Sequence, residues 1–207
     1  MAIVFDPTSH KYTLDGAVVP SVTTVLRATG AYEHADLWTQ EARDRGTAVH
    51  ALIAMCHCAG SLPEGTKVGY QSAPHIDAYC RWREESPAIT PMEWEVVLAH
   101  QQLGFAGTPD LLAKCKITGA WILIDFKTGP IQPAYTIQMA AYELLVCEGI
   151  NSAAHLVLPV SKINESWVIE LKKNGRYSIT ALSQDQRDVG KAKFKQALEL
   201  YKKGEQS

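Results

Sequence analysis

The chain has 207 residues, 46% of them hydrophobic and 20% charged, and a net charge of -2. That is an ordinary globular composition, long enough for one domain with a full core, and one domain over residues 1–207 is expected. The charge excludes a global basic field, so a polyanionic partner would have to be held by local patches. No apolar run reaches the length of a membrane span, and residues 1–6 lack the basic and apolar parts of a signal peptide. The expectation is therefore a cytoplasmic protein with no membrane partner.

Residues 10–14 and 17–19 flank Asp15-Gly16 and read as a β-hairpin. Ser21 suits the N-cap of a short helix over 22–28 closed by Gly30, and a longer helix is expected over 35–58. Residues 60–69 are a Gly/Pro-rich loop. Ser72 and Pro74 then open a helix through Arg83. A three-strand meander is expected next: residues 94–100, then 105–115, then 121–126. Residues 135–148 carry helical apolar spacing up to Gly149. Strands are expected over 155–160, 167–171 and 177–182, the last two joined through Asn174-Gly175. Ser183 with Gln186 forms a capping box for a final helix ending near Gly204. This order predicts an α+β fold: a mixed central β-sheet flanked by helices, with an N-terminal β-hairpin. Within it, residues 1–85 hold the hairpin and helices, 86–149 the core, and 150–207 the last strands and helix.

The five cysteines are odd in number and scattered, which argues against a disulfide framework. Cys56-His57-Cys58 lacks a matching Cys/His pair downstream, so free thiols are the better reading.

Pro109-Asp110, fourteen residues, then Asp125-Phe126-Lys127 is the most informative stretch. In the expected meander Glu95 lies opposite Asp110, and Asp110 opposite Asp125. Like charges directly across a sheet are destabilising, and a folded protein tolerates such a row when a cation sits on it. Lys127 lies two residues beyond Asp125 and so points to the same face. Carboxylate oxygens beside a lysine suit a divalent metal that hydrolyses phosphate esters. Arg43, Thr47 and His50 share one helix face, as do Gln138 and Tyr142. Taken alone, His50 reads as a surface or core histidine, and Gln138 with Tyr142 as a polar surface pair. Beside the carboxylates they become candidates to line a cleft. Lys172, Lys173 and Arg176 cluster at an expected hairpin tip and are candidates for phosphate backbone, whereas the lysines of the last helix read as a solvated face.

Pro-Asp, fourteen residues, Asp-x-Lys resembles the signature of the PD-(D/E)XK nucleases. Residues 46–50 (Gly-Thr-Ala-Val-His), Trp94-Glu95, residues 124–129 (Ile-Asp-Phe-Lys-Thr-Gly) and residues 138–142 (Gln-Met-Ala-Ala-Tyr) resemble successive motifs of its RecB-like branch. Residues 10–16 and 19–23 are similar to the start of stand-alone phage and prophage members. The resemblance covers residues 5–149. It implies that Asp110 and Asp125 bridge magnesium or manganese, with His50, the Phe126 carbonyl and Glu95 as further ligands. It makes Lys127 the group that positions water, with Gln138 and Tyr142 orienting it and the phosphate. Some relatives hold an iron–sulfur cluster through C-terminal cysteines; none follows Cys147 here, so no cluster is expected. The implied activity is a DNA exonuclease acting on DNA ends, single-stranded or of resected duplex, in phage or prophage recombination or DNA processing, in the cytoplasm of a bacterium or phage-infected host. A single-strand annealing protein or a helicase would be its partner. A structure-specific or restriction-type endonuclease and a non-catalytic DNA-binding accessory protein are the alternatives.

Overall fold

Three antiparallel strands open the chain: β1 (Ile3–Asp6), β2 (Lys11–Leu14) and β3 (Ala17–Val19). The structure is a computed structural model and describes residues 2–32, 39–151 and 160–205. Asp15 and Gly16, with φ of 49° and 86°, turn β2 into β3, as a two-residue hairpin loop requires. The expected hairpin is thus present, and β1 adds a third strand that periodicity did not reveal. In α1 (Val22–Ala28), Ser21 Oγ accepts the Thr24 N–H at 3.0 Å. In α2 (Gln40–Ala59), Thr39 caps the first turn and Gly60, at φ 78°, ends the last. The helix start expected at Ala35 lies outside the described residues. The third helix, α3 (Ala73–Glu85), follows the 60–69 loop as anticipated.

The expected meander is where the structure departs from the sequence reading. Residues 94–100 and 105–115 are not continuous strands. The chain forms β4 (Ile89–Trp94), β5 (Leu98–His100), β6 (Phe105–Gly107), β7 (Leu111–Cys115) and β8 (Trp121–Lys127). The first break falls at Glu95, whose φ is 45°, a left-handed conformation that a strand cannot continue through. The second falls at Pro109, which has no N–H to give a ladder. Register nevertheless brings the three acids level. Trp94 pairs with Leu111 and Leu111 with Ile124, so Glu95, Asp110 and Asp125 follow one step beyond. The Glu95 N–H donates to the Asp110 carbonyl at 2.9 Å. They meet at strand ends rather than along a ladder.

After β8 come α4 (Ala134–Glu148), β9 (Ile150–Asn151), β10 (Glu165–Leu171), β11 (Tyr177–Leu182) and α5 (Gln184–Glu205). Of the strand expected over 155–160, all but Val160 lies outside the described residues, and Val160 is buried outside any strand. Gly175 takes φ 72° in the β10–β11 turn. Both arms of the capping box form: Gln186 N–H to Ser183 Oγ at 3.2 Å, and Ser183 N–H to Gln186 Oε1 at 2.8 Å.

The main sheet runs β11-β10-β8-β7-β4, and β6-β5-β9 form a second, small sheet. β10 is parallel to β8, while the other neighbours in the main sheet are antiparallel. The mixed sheet is flanked by helices, so the fold is α+β as expected. Alternation along β8 divides its side chains. Ile122, Ile124 and Phe126 pack with α2 and α3 residues such as Ile53 and Trp82. Leu123 faces the other way, with Met139 of α4, Val25 of α1 and Phe194 of α5. A strand buried on both faces reads as a continuous apolar run. Asp125 and Lys127 share the parity of Leu123 and so point toward α4.

Gly149 closes α4, its N–H donating to Leu145 O at 2.9 Å. A Cβ there would collide with that same carbonyl and lie 2.9 Å from Ala99 O. Both obstacles are backbone. Gly149→Ala should therefore lower the unfolding free energy by about 1–3 kcal/mol, the usual cost of overpacking. A urea midpoint unchanged from wild type would show that this corner relaxes freely.

Candidate active site

Phe126 fixes the frame. Its ring meets Tyr79, Trp82 and Trp94 at centroid distances of 5.5, 5.2 and 5.9 Å. With the ring held, both polar groups of its backbone are presented at a fixed place. Its N–H donates to Asp110 Oδ2 at 2.7 Å. Its carbonyl lies 3.1 Å from His50 Nε2. The other ring nitrogen of His50, Nδ1, lies 3.4 Å from Asp110 Oδ1. The loop before Asp110 is braced from the N-terminal sheet, where the Tyr12 hydroxyl meets Thr108 Oγ1 at 2.8 Å.

Asp125 is buried, 2% exposed, and Asp110 is 8% exposed. Lys127 Nζ lies 2.5 Å from Asp125 Oδ2, and that oxygen has no aligned hydrogen bond. Nζ also sits 4.8 Å from the centre of the Tyr135 ring. Gln138 donates through Nε2 to Asp125 Oδ1 at 3.4 Å and to the Tyr142 hydroxyl at 3.1 Å, while its Oε1 accepts from the Tyr32 hydroxyl at 3.0 Å.

Charge balance follows from this geometry. Burial pushes Asp125 up to about 6, with Asp110 adding to the rise and Lys127 opposing it. Burial also works against charge on Asp110, but the adjacent His50, with Lys127 and the Phe126 N–H, outweighs it and holds the carboxyl below its ordinary value. For His50, burial is outweighed by Asp110, and the imidazole rises to about 9. Both of its nitrogens face oxygen acceptors, so the ring satisfies both as the doubly protonated cation. For Lys127, burial is outweighed by Asp125 and Asp110, and the ammonium is held above the ordinary lysine range. Two cations thus face two carboxylates.

Next to these groups lies a cleft of about 490 Å³. His50, the Phe126–Gly129 segment, Tyr32, Tyr135 and Gln138 line it, together with Arg27, Arg43 and Arg45. No acidic residue does among the described residues. No ion pair joins Arg27 or Arg45 to a carboxylate among the described residues.

Of the residues singled out from sequence, His50, Asp110, Asp125, Phe126, Lys127 and Gln138 are brought together. Glu95 is exposed and makes no side-chain bond in the group, although partial burial and then Asp110 raise its pKa. Tyr142 is buried behind Gln138 and does not line the cleft. Arg43 does line it and bonds Gln40 at 3.0 Å. Lys172 pairs with Glu170 at 3.8 Å, and Lys173 lies in a neighbouring groove. Arg176 is exposed at the same turn. Tyr32, Tyr135, Arg27 and Arg45 were not foreseen. Tyr135 was within reach, being three residues before Gln138 on one helix face; Tyr32, 106 residues from its partner Gln138, carries no local signal.

The donor set fits a hard divalent cation. Asp110, Asp125 and the Phe126 carbonyl offer oxygens, and His50 an imidazole. Among the described residues no three His, Cys, Asp or Glu side chains already converge as ligands. With His50 charged and lodged between Asp110 and Phe126, its nitrogens are occupied by protons, and ligation requires losing one.

The sequence model of the PD-(D/E)XK nuclease superfamily matches residues 71–206. The chain belongs to this superfamily of nucleases, whose members generally use divalent metal ions. Among solved structures it is similar to an alkaline exonuclease from Laribacter hongkongensis, at 14% identity and a TM-score of 0.37, over 87% of this chain and 90% of that one. No curated protein sequence matches it.

Lys127→Met would leave the buried carboxylates without their ammonium. In EDTA it should lower the unfolding free energy by about 3 kcal/mol, the low end for breaking a buried pair, because Asp125 can take up a proton instead. Denaturant titration of both proteins measures this. Equal stability would show that Lys127 does not offset the carboxylates.

Proposed function

We propose that this protein is a magnesium- or manganese-dependent deoxyribonuclease, an exonuclease working on DNA ends, formed as one nuclease unit over residues 1–207. The observation that carries the reading is Lys127 Nζ, held 2.5 Å from buried Asp125 while lining a cleft beside Arg27, Arg43 and Arg45. Asp110, Asp125, His50 and the Phe126 carbonyl would hold the metal, with Glu95 positioned at its edge. When bound, the metal lowers the pKa of a water and offsets charge on the phosphate.

The protein's own groups do the rest. Lys127, as an ammonium, donates to the attacking water or to a phosphate oxygen, and sits where negative charge grows in the transition state. Asp125 aims Lys127. Gln138 holds Asp125 by its amide, and Tyr32 and Tyr142 hold Gln138, so the last two are positioning residues. Arg27, Arg43 and Arg45 would grip flanking phosphates. Lys172, Lys173 and Arg176 would touch the backbone further out.

DNA is the substrate this arrangement favours. Action in phage or prophage recombination, a cytoplasmic setting, and a single-strand annealing protein or helicase as partner rest on the sequence motifs. A structure-specific or restriction-type endonuclease uses the same groups, and a non-catalytic DNA-binding accessory protein would not require Lys127 beside Asp125.

End-labelled linear DNA and closed circular single-stranded DNA, each incubated with manganese, magnesium or EDTA, separate these readings. Loss of the linear form alone, blocked by EDTA, is expected. Cutting of the circle would favour the endonuclease, and binding without cleavage the accessory protein. Lys127→Ala should lower the rate constant by at least about 100-fold, as for loss of a transition-state donor; an undiminished rate would remove Lys127 from the chemistry. His50→Ala should raise the manganese concentration for half-maximal activity by about 10-fold or more, and an unchanged metal titration would take His50 out of the ligand set.

A further inference from the structure

Arg45 lines two cavities. Beyond the cleft it reaches a second groove of about 270 Å³, formed with Glu41, Tyr70, Gln71, Pro74 and Lys173. That volume is at the small end for ligand sites and suits a single nucleoside. Tyr70 stands out of its floor, 84% exposed. Its hydroxyl accepts from Gln71 Nε2 at 3.0 Å, and the same amide donates to Glu41 Oε1 at 2.5 Å. This occupies an oxygen of Glu41, the one acidic residue in the groove among the described residues. On the other side Arg45 Nε is out of water with no hydrogen-bond partner, and Lys173 is exposed. No ion pair joins either cation to a carboxylate among the described residues.

A solvent-facing aromatic ring sharing a groove with two cations is the arrangement that holds single-stranded nucleic acid, with bases stacked on rings and backbone on charge. A duplex keeps its base faces covered by neighbouring pairs except at its open ends, so a closed duplex offers Tyr70 nothing to stack on.

We propose that this groove is a second nucleotide subsite for single-stranded DNA. A strand with its scissile phosphate at Lys127 passes over Arg45, sets a phosphate against Lys173 and stacks one base on Tyr70. The proposal rests on the nuclease reading and names the form of DNA that the site takes.

Fluorescence anisotropy with a labelled single-stranded oligonucleotide and a dumbbell duplex closed by a loop at each end, in EDTA so that nothing is cleaved, tests the groove. Tyr70→Ala should weaken single-strand binding by about 10-fold, as for loss of one base stack, and Tyr70→Phe should restore it because the ring is kept. Lys173→Ala should weaken binding and flatten its salt dependence by about one counterion. Duplex affinity should be the same for Tyr70→Ala and wild type. Wild-type single-strand affinity in Tyr70→Ala, or an equal loss on the duplex, would overturn the proposal. Hydrolysis of bis(p-nitrophenyl) phosphate with manganese, a diester too small to reach Tyr70, should be unaffected by Tyr70→Ala; a parallel loss there would also overturn it. If wild type hydrolyses neither this ester nor DNA, the nuclease reading fails, while the anisotropy still decides whether the groove binds single strands.

Discussion

Asp110 and Asp125 end neighbouring strands of one sheet, and both are nearly out of water. Two carboxylates so placed repel each other in a medium that screens weakly. The repulsion is met by two cations brought from different places: Lys127, two residues along the same strand, and His50, from α2 on the opposite side of Phe126. Remove either cation and a charge is stranded in the interior, where the alternative is to take up a proton. Asp125 already shows that tendency in its raised pKa of about 6. The arrangement is balanced but ready to exchange. A dication among these oxygens would take over the work of the His50 proton and leave Lys127 in place.

The rest of the fold holds that cluster still. Alternation along β8 sends Phe126 into the α2–α3 layer and Asp125 with Lys127 toward α4. One strand therefore anchors through its even-numbered residues, Ile122 to Phe126, and presents the odd-numbered Asp125 and Lys127. The three aromatic rings around Phe126 set the position of its N–H and carbonyl, and these in turn set Asp110 and His50. On the other side Gln138 spends its amide on Asp125 and Tyr142 and its oxygen on Tyr32. No side-chain polar group of Gln138 is left over, so its place in the site is determined by the packing of α4 and not by a ligand.

Much of this was legible because it is local. The Asp15-Gly16 turn, the Ser21 cap and the Ser183–Gln186 capping box each depend on residues within a few positions of one another. The Asp125–Lys127 relation follows from strand parity alone. What escaped depends on contacts across the chain or on backbone conformations that side-chain type does not announce. Glu95 at φ 45° is one: glutamate gives no warning of a left-handed conformation, so residues 94–100 read as one strand. Pro109 was read only as part of a motif, although a proline inside an expected strand is itself evidence of a break. β9 is two residues long and exists because it finds β5. Tyr32 joins the site through folding alone.

Net charge and site charge point in opposite directions here, and the layering explains why. The chain as a whole carries -2, yet among the described residues the cleft is lined by three arginines, Lys127 and His50, and by no acid. The two carboxylates sit behind this lining, neutralised by the cations in front of them. A polyanion approaching the cleft meets the arginines first, and the field of exposed charges beyond about 10 Å is screened at physiological salt. Total charge therefore says little about what binds, and the local excess of cations is what a phosphate backbone would encounter. The acids become relevant only at contact distance, where they would fix a cation against the phosphate instead of repelling it. A basic rim over an acidic floor thus lets one cleft attract a polyanion and still keep the oxygens that hold a metal.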